Sequence, residues 1–133
     1  MKKKNPGSTY QKGKKGEEKA AAFLRLKGYK ILEKNFRVGQ GEIDLIAQRA
    51  GILVFVEVKT KRGKSQGSPL EAVTPRKVRR LSAAAAFYLS THSLEGKTCR
   101  FDVVMIGAEK NWLGLAKIQH FENAFSVTEN FNI

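Results

Sequence analysis

Residues 41–47 read GEIDLIA, and residues 52–59 read ILVFVEVK. Both runs have the apolar and β-branched character of strands, but each carries carboxylates where a core strand usually carries none. The second run ends with Glu57 and Lys59, an acid and an amine on either side of Val58. Charged groups beside a strand core are usually paired or bind a ligand. These two strands are therefore where chemistry is expected.

The alternation of side chains along a strand puts the charges of each run on one face. Residues i and i+2 share a face, so Glu57 and Lys59 project from the same side of the second strand. By the same rule, Glu42 and Asp44 project from the same side of the first strand, opposite its alternating apolar side chains. The pattern therefore predicts two strands that are each charged on one face.

A turn at residues 48–51, which read QRAG, joins the two strands. Pairing Arg49 with Ile52 across this turn places Asp44 beside Glu57, with Cβ atoms roughly 5 Å apart. A slip of one residue would send Asp44 to the other face and bury the wrong side chains. Because alanine is not favoured at the first position of a tight hairpin turn, a slightly longer loop in the same register is expected.

The same register brings Glu42 beside Lys59, so that three acids and a lysine converge on one face of the hairpin. An isolated Glu-x-Lys sequence is usually a solvated ion pair of little energetic value. Carboxylates this close to each other, however, repel and raise each other's pKa. A hard cation removes that repulsion, and oxygen ligands suit Mg²⁺ or Mn²⁺. We therefore predict that Asp44 and Glu57 share a divalent metal ion.

The composition indicates one basic domain with a polyanionic partner. The chain has 133 residues, with 25 Lys and Arg against 12 acids and a formal net charge of +13. Nucleic acid is the first candidate partner for such a charge, and an anionic membrane surface is the second. The single cysteine, Cys99, cannot form an internal disulfide, which favours a reducing, cytoplasmic location. We expect no membrane span and no secretory signal, because no apolar run is long enough.

The chain divides into a basic arm at residues 1–15, a domain at residues 16–125 and a tail at residues 126–133. The arm has several lysines and no acid, which predicts disorder; binding phosphates loosely and aiding solubility are equally compatible with it. The domain is predicted to be a single α/β or α+β unit with a mixed sheet of about five strands flanked by helices. A helical connection between residues 59 and 98 suits a crossover between parallel strands. The predicted elements are a helix at 16–27, strands at 29–37, 41–47 and 52–59, a helix at 75–90, and strands at 98–106 and 112–120 around a turn at 107–111.

The second predicted helix begins with a cluster of cations. Thr74 and Pro75 are a favourable cap and first helical residue, and Arg76, Lys77 and Arg80 crowd the turns that follow. Cations are disfavoured at a helix N-terminus, and a bound anion would relieve that. A solvated charged face explains the same cluster equally well.

An ordered set of motifs spread over residues 13 to 125 resembles a known group of proteins. The chain is similar to the PD-(D/E)XK nuclease superfamily, and more closely to its small YraN-like bacterial branch. It departs from the branch at Phe36, where Trp is common, and at Lys61, where Arg is common. The motifs that carry the resemblance are Gly16-Glu17 with Ala20, Gly28-Tyr29, Asn35-Phe36-Arg37, residues 41–47, residues 54–59, Gly67, Glu71-Ala72-Val73, Lys77, residues 100–104 and Asn123-Ala124-Phe125.

The resemblance implies a restriction-endonuclease-like fold and a role for each acid. It implies that Asp44 and Glu57 ligate the metal ion and that Lys59 lies next to the attacking water. Glu17 looks like the extra acid of related junction-cutting enzymes. Its position in the first helical turn also has a simpler explanation, since acids there are favoured by the helix dipole.

Three classes of function follow from these observations. The first is a Mg²⁺- or Mn²⁺-dependent endonuclease acting on DNA, with branched DNA among its candidate substrates. A junction cutter would need the two sites of a homodimer. The second is a non-catalytic nucleic-acid-binding module that retains the fold, and the third is a basic ribosome-associated or membrane-surface protein. DNA is favoured over RNA or a membrane. The residues expected to hold backbone phosphates are Lys61, Arg62, Arg76, Lys77 and Arg80.

Overall fold

The chain runs in the order helix, three strands, helix, two strands. A computed structural model describes residues 7–61 and 73–125. Predictions that concern the other residues, such as the phosphate contact of Arg62, lie outside this described part of the chain. The elements are α1 (Gly7–Leu26), β1 (Lys30–Val38), β2 (Gly41–Arg49), β3 (Ile52–Thr60), α2 (Pro75–Thr91), β4 (Cys99–Lys110) and β5 (Ala116–Phe121).

The described strands form one mixed sheet in the order β1-β2-β3-β4-β5. Strands β1, β2 and β3 are antiparallel neighbours, β3 and β4 run parallel, and β5 returns antiparallel to β4. The parallel pair requires a crossover, and α2 lies in that connection. The prediction of an α+β domain with a five-stranded mixed sheet is confirmed, and the architecture is consistent with a restriction-endonuclease-like fold.

Apolar residues on the two faces of the sheet form two separate cores. One core packs α1 against the sheet and includes Leu24, Leu45 and Val56, all fully buried. The other packs α2 against the opposite face, where the Phe55 ring lies 6.3 Å from that of Tyr88. Burying each such large side chain contributes roughly 1.5–3 kcal/mol. The two helices are thereby held on opposite sides of the strands that carry the predicted acids.

The first helix is longer than its sequence pattern predicts. It begins at Gly7 rather than at Gly16, so part of the predicted basic arm is helical. The additional turns contain glycines and lysines and no apolar periodicity, which is the signal on which the prediction depended. The helix ends as predicted before Gly28, whose φ of 95° suits glycine. The predicted division into arm, domain and tail otherwise stays a prediction.

The β2–β3 turn is tighter than expected. Arg49 pairs with Ile52, which confirms the predicted register, and Ala50 and Gly51 alone connect the strands. Both have positive φ values, of 51° and 79°. Alanine is therefore held in a left-handed conformation that disfavours its Cβ, and the expected longer loop is wrong.

The β4–β5 hairpin extends further than predicted. Strand β4 continues to Lys110, and the turn lies at residues 111–115 rather than at 107–111. Pairing with β5 is irregular between Ile106 and Lys110. Gly107 leaves little room there, since an added Cβ would lie 3.2 Å from the Lys117 carbonyl oxygen. The glycine that suggested a turn is in fact part of a bulge within the strand.

A buried polar network joins β4 to β5. Asp102 has no exposed surface, and its carboxylate accepts hydrogen bonds from Arg100 at 2.9 Å and from the Asn123 amide at 2.9 Å. His120 Nε2 lies 2.7 Å from Asp102 Oδ2, and Arg100 also donates to the Tyr29 hydroxyl. Burial alone raises the pKa of Asp102, but the bonds from His120 and Arg100 outweigh it, so the pKa lies below its ordinary value.

Candidate functional site

The site is built where β2 and β3 separate. Their ladder ends at the pair Leu45 and Val56. Beyond it, β2 pairs only with β1, as at Glu42 and Arg37, while β3 pairs with β4 through Thr60. The predicted backbone pairs of Asp44 with Glu57 and of Glu42 with Lys59 are therefore wrong, because strand twist and the second neighbour of each strand draw the two apart. A fork opens between the strands at the position of the acids.

Asp44 occupies the fork. Its Oδ2 accepts a hydrogen bond of 2.7 Å from the Val58 amide, which substitutes for the missing ladder bond. Burial raises the pKa of Asp44 to about 8, and the charge of nearby Glu57 contributes to the shift, while the Val58 amide opposes it. Asp44 and Glu57 line the same cleft, although they are not a ladder pair. Asp44 favours either a proton or a cation at neutral pH.

The first helix delivers a second acid to Asp44. Glu17 shares a hydrogen bond with Asp44, and burial raises the pKa of Glu17 as well. The preceding residue, Gly16, lies against the end of β3, where an added Cβ would come 2.8 Å from Thr60 Oγ1. This close approach of α1 to β3 brings Glu17 to the fork. Glu17 and Asp44 therefore meet at the fork, and the role of Glu17 as an additional acid of the site stays a prediction.

The second helix delivers a cation to Glu57. Lys77 Nζ lies 2.6 Å from Glu57 Oε2, and Glu57 is buried, with 8% of its surface exposed. The predicted helix cap is present, since Thr74 Oγ1 accepts a hydrogen bond of 3.2 Å from the Lys77 amide. The cap fixes where α2 begins, and this start places Lys77 within reach of Glu57 in the fork. A residue expected to hold phosphate is here paired with an expected metal ligand.

Glu42 is neutralised by two arginines. Its carboxylate lies 2.8 Å from Arg80 and 3.3 Å from Arg37, and Arg80 also donates to the Gln40 carbonyl at 3.0 Å. At Gly41 the β2 backbone approaches α2 so closely that an added Cβ would lie 2.7 Å from the Ala84 nitrogen. Glu42 is therefore held by ion pairs at one rim of the site, and Arg80 is partly engaged.

The acids lie in a cleft with a basic lining and a volume of about 830 Å³. Lys59 is exposed on its wall, and among the residues that the structure describes its ammonium has no ion-pair partner. Lys61 also lines the cleft, whereas Arg76 is exposed outside its lining. The structure adds Lys15, which was expected in the basic arm before α1, and Lys19, which lies within the predicted helix but belongs to no motif that pointed to the cleft. The lining includes Lys15, Glu17, Lys19, Glu42, Asp44, Glu57, Lys59, Lys61, Lys77 and Arg80.

The donor set suits a hard cation that keeps part of its own hydration. Within residues 7–61 and 73–125, no three His, Cys, Asp or Glu side chains form a ready-made metal cage. Mg²⁺ does not require one, since it usually takes one or two carboxylates together with water and substrate phosphates. Asp44 and Glu57 provide the two carboxylates. Burial, and after it the charge of Glu57, raises the pKa of Asp44, and a bound cation would offset both costs of ionising it. The residues present therefore fit such an ion.

The fold and the cleft define a small α+β protein with an acidic cluster inside a basic groove. The model of the uncharacterised protein family UPF0102 matches residues 16–106. The chain is 50% identical over 113 residues to a UPF0102 protein of Symbiobacterium thermophilum, covering 85% of this chain and 94% of that protein. It is 51% identical over 110 residues to one from Syntrophomonas wolfei, covering 83% and 93%. The chain thus belongs to this bacterial family, which confirms the expected YraN-like relationship.

No helix in the described ranges is long and apolar enough to cross a membrane.

Proposed function

We propose that the protein is a Mg²⁺- or Mn²⁺-dependent phosphodiesterase that acts on DNA. The observation that carries the proposal is the convergence of Asp44 and Glu57 in the β2–β3 fork, with the Lys59 ammonium on the wall of the same cleft. A basic groove around an acidic centre attracts a polyanion and holds the cation needed to approach it. This combination has no evident purpose in a purely structural domain.

Each acid has a place in this proposal. Asp44 and Glu57 would hold the cation, and Glu17, which reaches Asp44 from α1, would complete the metal shell or hold a water. When bound, the ion supplies Lewis acidity to the scissile phosphate. Glu42 would orient Arg80 rather than bind metal, because its carboxylate is already paired twice.

Lys59 would act on the reacting phosphate. It follows Glu57 by two residues on β3 and is exposed in the cleft. An ammonium in that position can orient the attacking water or neutralise charge that develops on the phosphate oxygens. Its lack of an ion-pair partner among the described side chains leaves it available for that role.

The surrounding cations would grip the nucleic-acid backbone without reading bases. Lys15, Lys19 and Lys61 lie on the cleft wall. Lys77 and Arg80 would turn to phosphate when their acidic partners are otherwise engaged, and Arg76 would contact phosphates beyond the cleft. Arg62, in the segment that the structure does not describe, remains part of the same prediction.

A cleavage panel tests the proposal. Linear duplex, single-stranded DNA, a four-way junction and RNA are incubated with wild type, Asp44→Asn and Lys59→Ala, in Mg²⁺, Mn²⁺ or chelator. Cleavage of at least one substrate should require metal and be lost in both variants, while binding in chelator is retained. Glu95→Gln, which neutralises an exposed acid outside the cleft, is the matched control. Equal residual cleavage in wild type and the two site variants would reject this site.

A second candidate is a non-catalytic nucleic-acid-binding module. The observation that favours it is the 2.6 Å ion pair between Lys77 and Glu57, which occupies one expected metal ligand with an amine of the chain itself. Calorimetry with Mn²⁺ discriminates the two candidates. Heat of binding that is lost in Asp44→Asn supports the enzyme, whereas DNA binding without any metal binding supports the module.

The setting that we propose is the reducing bacterial cytoplasm. The single cysteine in the sequence, Cys99, is free in the structure, as expected for a chain that does not depend on disulfides. If the substrate is a branched junction, two sites are needed and a homodimer is expected. Sedimentation with and without junction DNA measures that directly.

A further inference from the structure

The β4–β5 hairpin ends in an exposed apolar tip. Trp112 has 90% of its surface exposed, and Leu113 and Leu115 have 58% and 59%. Trp112 is the only tryptophan of the chain. Tryptophan is usually mostly buried because its large apolar ring gains so much from burial. Three neighbouring apolar side chains on one turn therefore indicate a contact surface.

Hydrogen bonds give this tip a defined backbone. Asn111 Oδ1 accepts from the Leu113 amide at 2.8 Å and from the Leu115 amide at 3.0 Å. The Asn111 amide donates to the Leu115 carbonyl, and the Gly114 amide donates to the Asn111 carbonyl. A tip ordered in this way loses little conformational freedom when a partner contacts it.

The hairpin leads directly out of the cleft. Ile106 and Ala108 of β4 line the cleft wall, and the strand continues to Lys110 before the tip. The pairing of β4 with β5 is irregular in this segment, between Ile106 and Lys110. From Ala108 to Trp112 the chain spans at most about 13 Å at a strand rise of about 3.3 Å per residue. A nucleic acid held in the cleft therefore lies within a few nucleotides of the tryptophan.

The charge around the tip favours a nucleic acid as the partner. Lys110 pairs across the hairpin with Ala116, and the next residue of β5 is Lys117. The positive charges of these two lysines exceed the negative charge of Glu109. Every base offers a π face on which an aromatic side chain can stack, without regard to sequence, when the base is not already stacked on both sides. A lipid surface would also attract cations, but it does not explain why the tip extends from a concave basic cleft.

We propose that Trp112 stacks on an unpaired base of the nucleic acid bound in the cleft. This inference rests on the proposed function and narrows its substrate class. Single strands and duplexes with a fork or branch point present such bases, whereas a blunt duplex presents few. Leu113 and Leu115 lie against the neighbouring sugar or base, and the cleft lysines hold the phosphates that follow.

The single tryptophan makes the contact directly measurable. The wild-type protein is titrated, in chelator so that nothing is cut, with a single-stranded oligonucleotide, a forked duplex and a blunt duplex of matched length. Stacking should quench the Trp112 emission saturably with the single strand and the fork, and much less with the blunt duplex. Undiminished emission at saturating binding of all three would overturn the proposal. So would an enhanced, blue-shifted emission with phosphatidylserine vesicles in the absence of quenching by DNA.

Variants separate stacking from general apolar contact. Trp112→Leu should bind the fork about tenfold more weakly by anisotropy of labelled DNA, as expected for one lost base stack, and its affinity for the blunt duplex should change little. Trp112→Phe should retain most of the affinity for the fork. The control is Leu26→Ala, which removes an equally exposed apolar side chain that does not line the cleft. A uniform loss across all DNAs, or equal losses in the Leu and Phe variants, would contradict stacking.

The outcomes distinguish this inference from the proposed nuclease. Metal-dependent cleavage without quenching rejects only the stacking role. Quenching without cleavage retains the stacking role and supports the non-catalytic module. Failure to bind any of the DNAs rejects both.

Discussion

Lys77 on α2 and Glu57 on β3 form an ion pair of 2.6 Å across the mouth of the β2–β3 fork. Glu57 is buried, and 41% of the Lys77 side chain is exposed. The helix thus places a cation of the protein itself on one of the two carboxylates that would bind metal. Competition between Lys77 and a metal ion follows directly from this geometry.

Removal of Lys77 should therefore strengthen metal binding and weaken DNA binding. In Lys77→Ala, Glu57 loses its competing cation, and Mn²⁺ affinity measured by calorimetry should rise about two- to fivefold, consistent with a partly exposed ion pair. DNA affinity in chelator should fall, since the Glu57 carboxylate loses the cation that neutralises it and repels the phosphates in the cleft. Arg76→Ala, on the same helical turn but outside the cleft lining, should leave Mn²⁺ affinity unchanged. Weaker Mn²⁺ binding in Lys77→Ala would show that Lys77 positions Glu57 instead of competing for it.

The raised pKa of Asp44 predicts that the metal-free protein loses stability as the pH rises. Asp44 has a pKa of about 8 when folded, against roughly 3.9 when unfolded. Between these values the folded state binds more protons, so its contribution to stability is present below about pH 4 and is lost as the pH approaches 8. Urea unfolding in chelator at several pH values should show wild type falling relative to Asp44→Asn over this window. Saturating Mn²⁺ should counter the fall, and parallel pH profiles of the two proteins would contradict the shift.

The Asp102 network predicts the opposite pH dependence at the acid end. The pKa of the Asp102 carboxyl is lower in the folded protein than in the unfolded chain. Ionised Asp102 therefore contributes its stability at pH values above its unfolded pKa. That stability is lost as the pH falls through its folded pKa. Asp102→Ala strands the Arg100 guanidinium and should cost about 3–5 kcal/mol at pH 7. Glu122→Gln removes the exposed partner of Arg100, at 3.6 Å, and should cost under about 1 kcal/mol. Denaturant unfolding measures both, and equal costs would show that burial of Asp102 is not the deciding factor.

The tight β2–β3 turn predicts a stabilising substitution. Ala50 has a φ of 51°, a conformation that asparagine tolerates better than alanine because its side chain can hydrogen-bond locally. Ala50→Asn should therefore raise the unfolding free energy by about 0.5–1 kcal/mol, seen as a higher melting temperature. Gly51→Ala, at a φ of 79°, should lower it. A loss of stability in Ala50→Asn would mean that the Ala50 side chain makes a contact worth more than the strain.

The sequence was sufficient for the features that depend on local patterns. Alternation along residues 41–59 predicted both hairpin strands and their register through Leu45 and Val56. Thr74 and Pro75 predicted the start of α2, and the length of the connection after Lys59 predicted the parallel crossover. The turn and cap signals lie within a few residues of the features that they predict, and the crossover needs only a helical connection between two strands.

The features that were missed depend on contacts between distant segments. The fork requires that β2 and β3 each prefer a different second neighbour, and no local alternation encodes that preference. Two side-chain contacts join residues that only tertiary packing brings together. Lys77 pairs with Glu57, and the Arg100 guanidinium donates to the Tyr29 hydroxyl. The early start of α1 was missed for another reason, because its first turns have no apolar stripe.

The bulge on the outermost strand has a consequence for how copies of this protein meet. Strand β1 is irregular between Ile31 and Glu33, and Lys30, Lys34 and Arg37 are exposed along it. An edge that is both kinked and cationic is a poor template for a strand from a second molecule. Like charges and a broken hydrogen-bond row therefore protect β1 from continuing the sheet into an aggregate. In any concentrated protein solution, the unpaired edge of an open sheet needs protection of this kind.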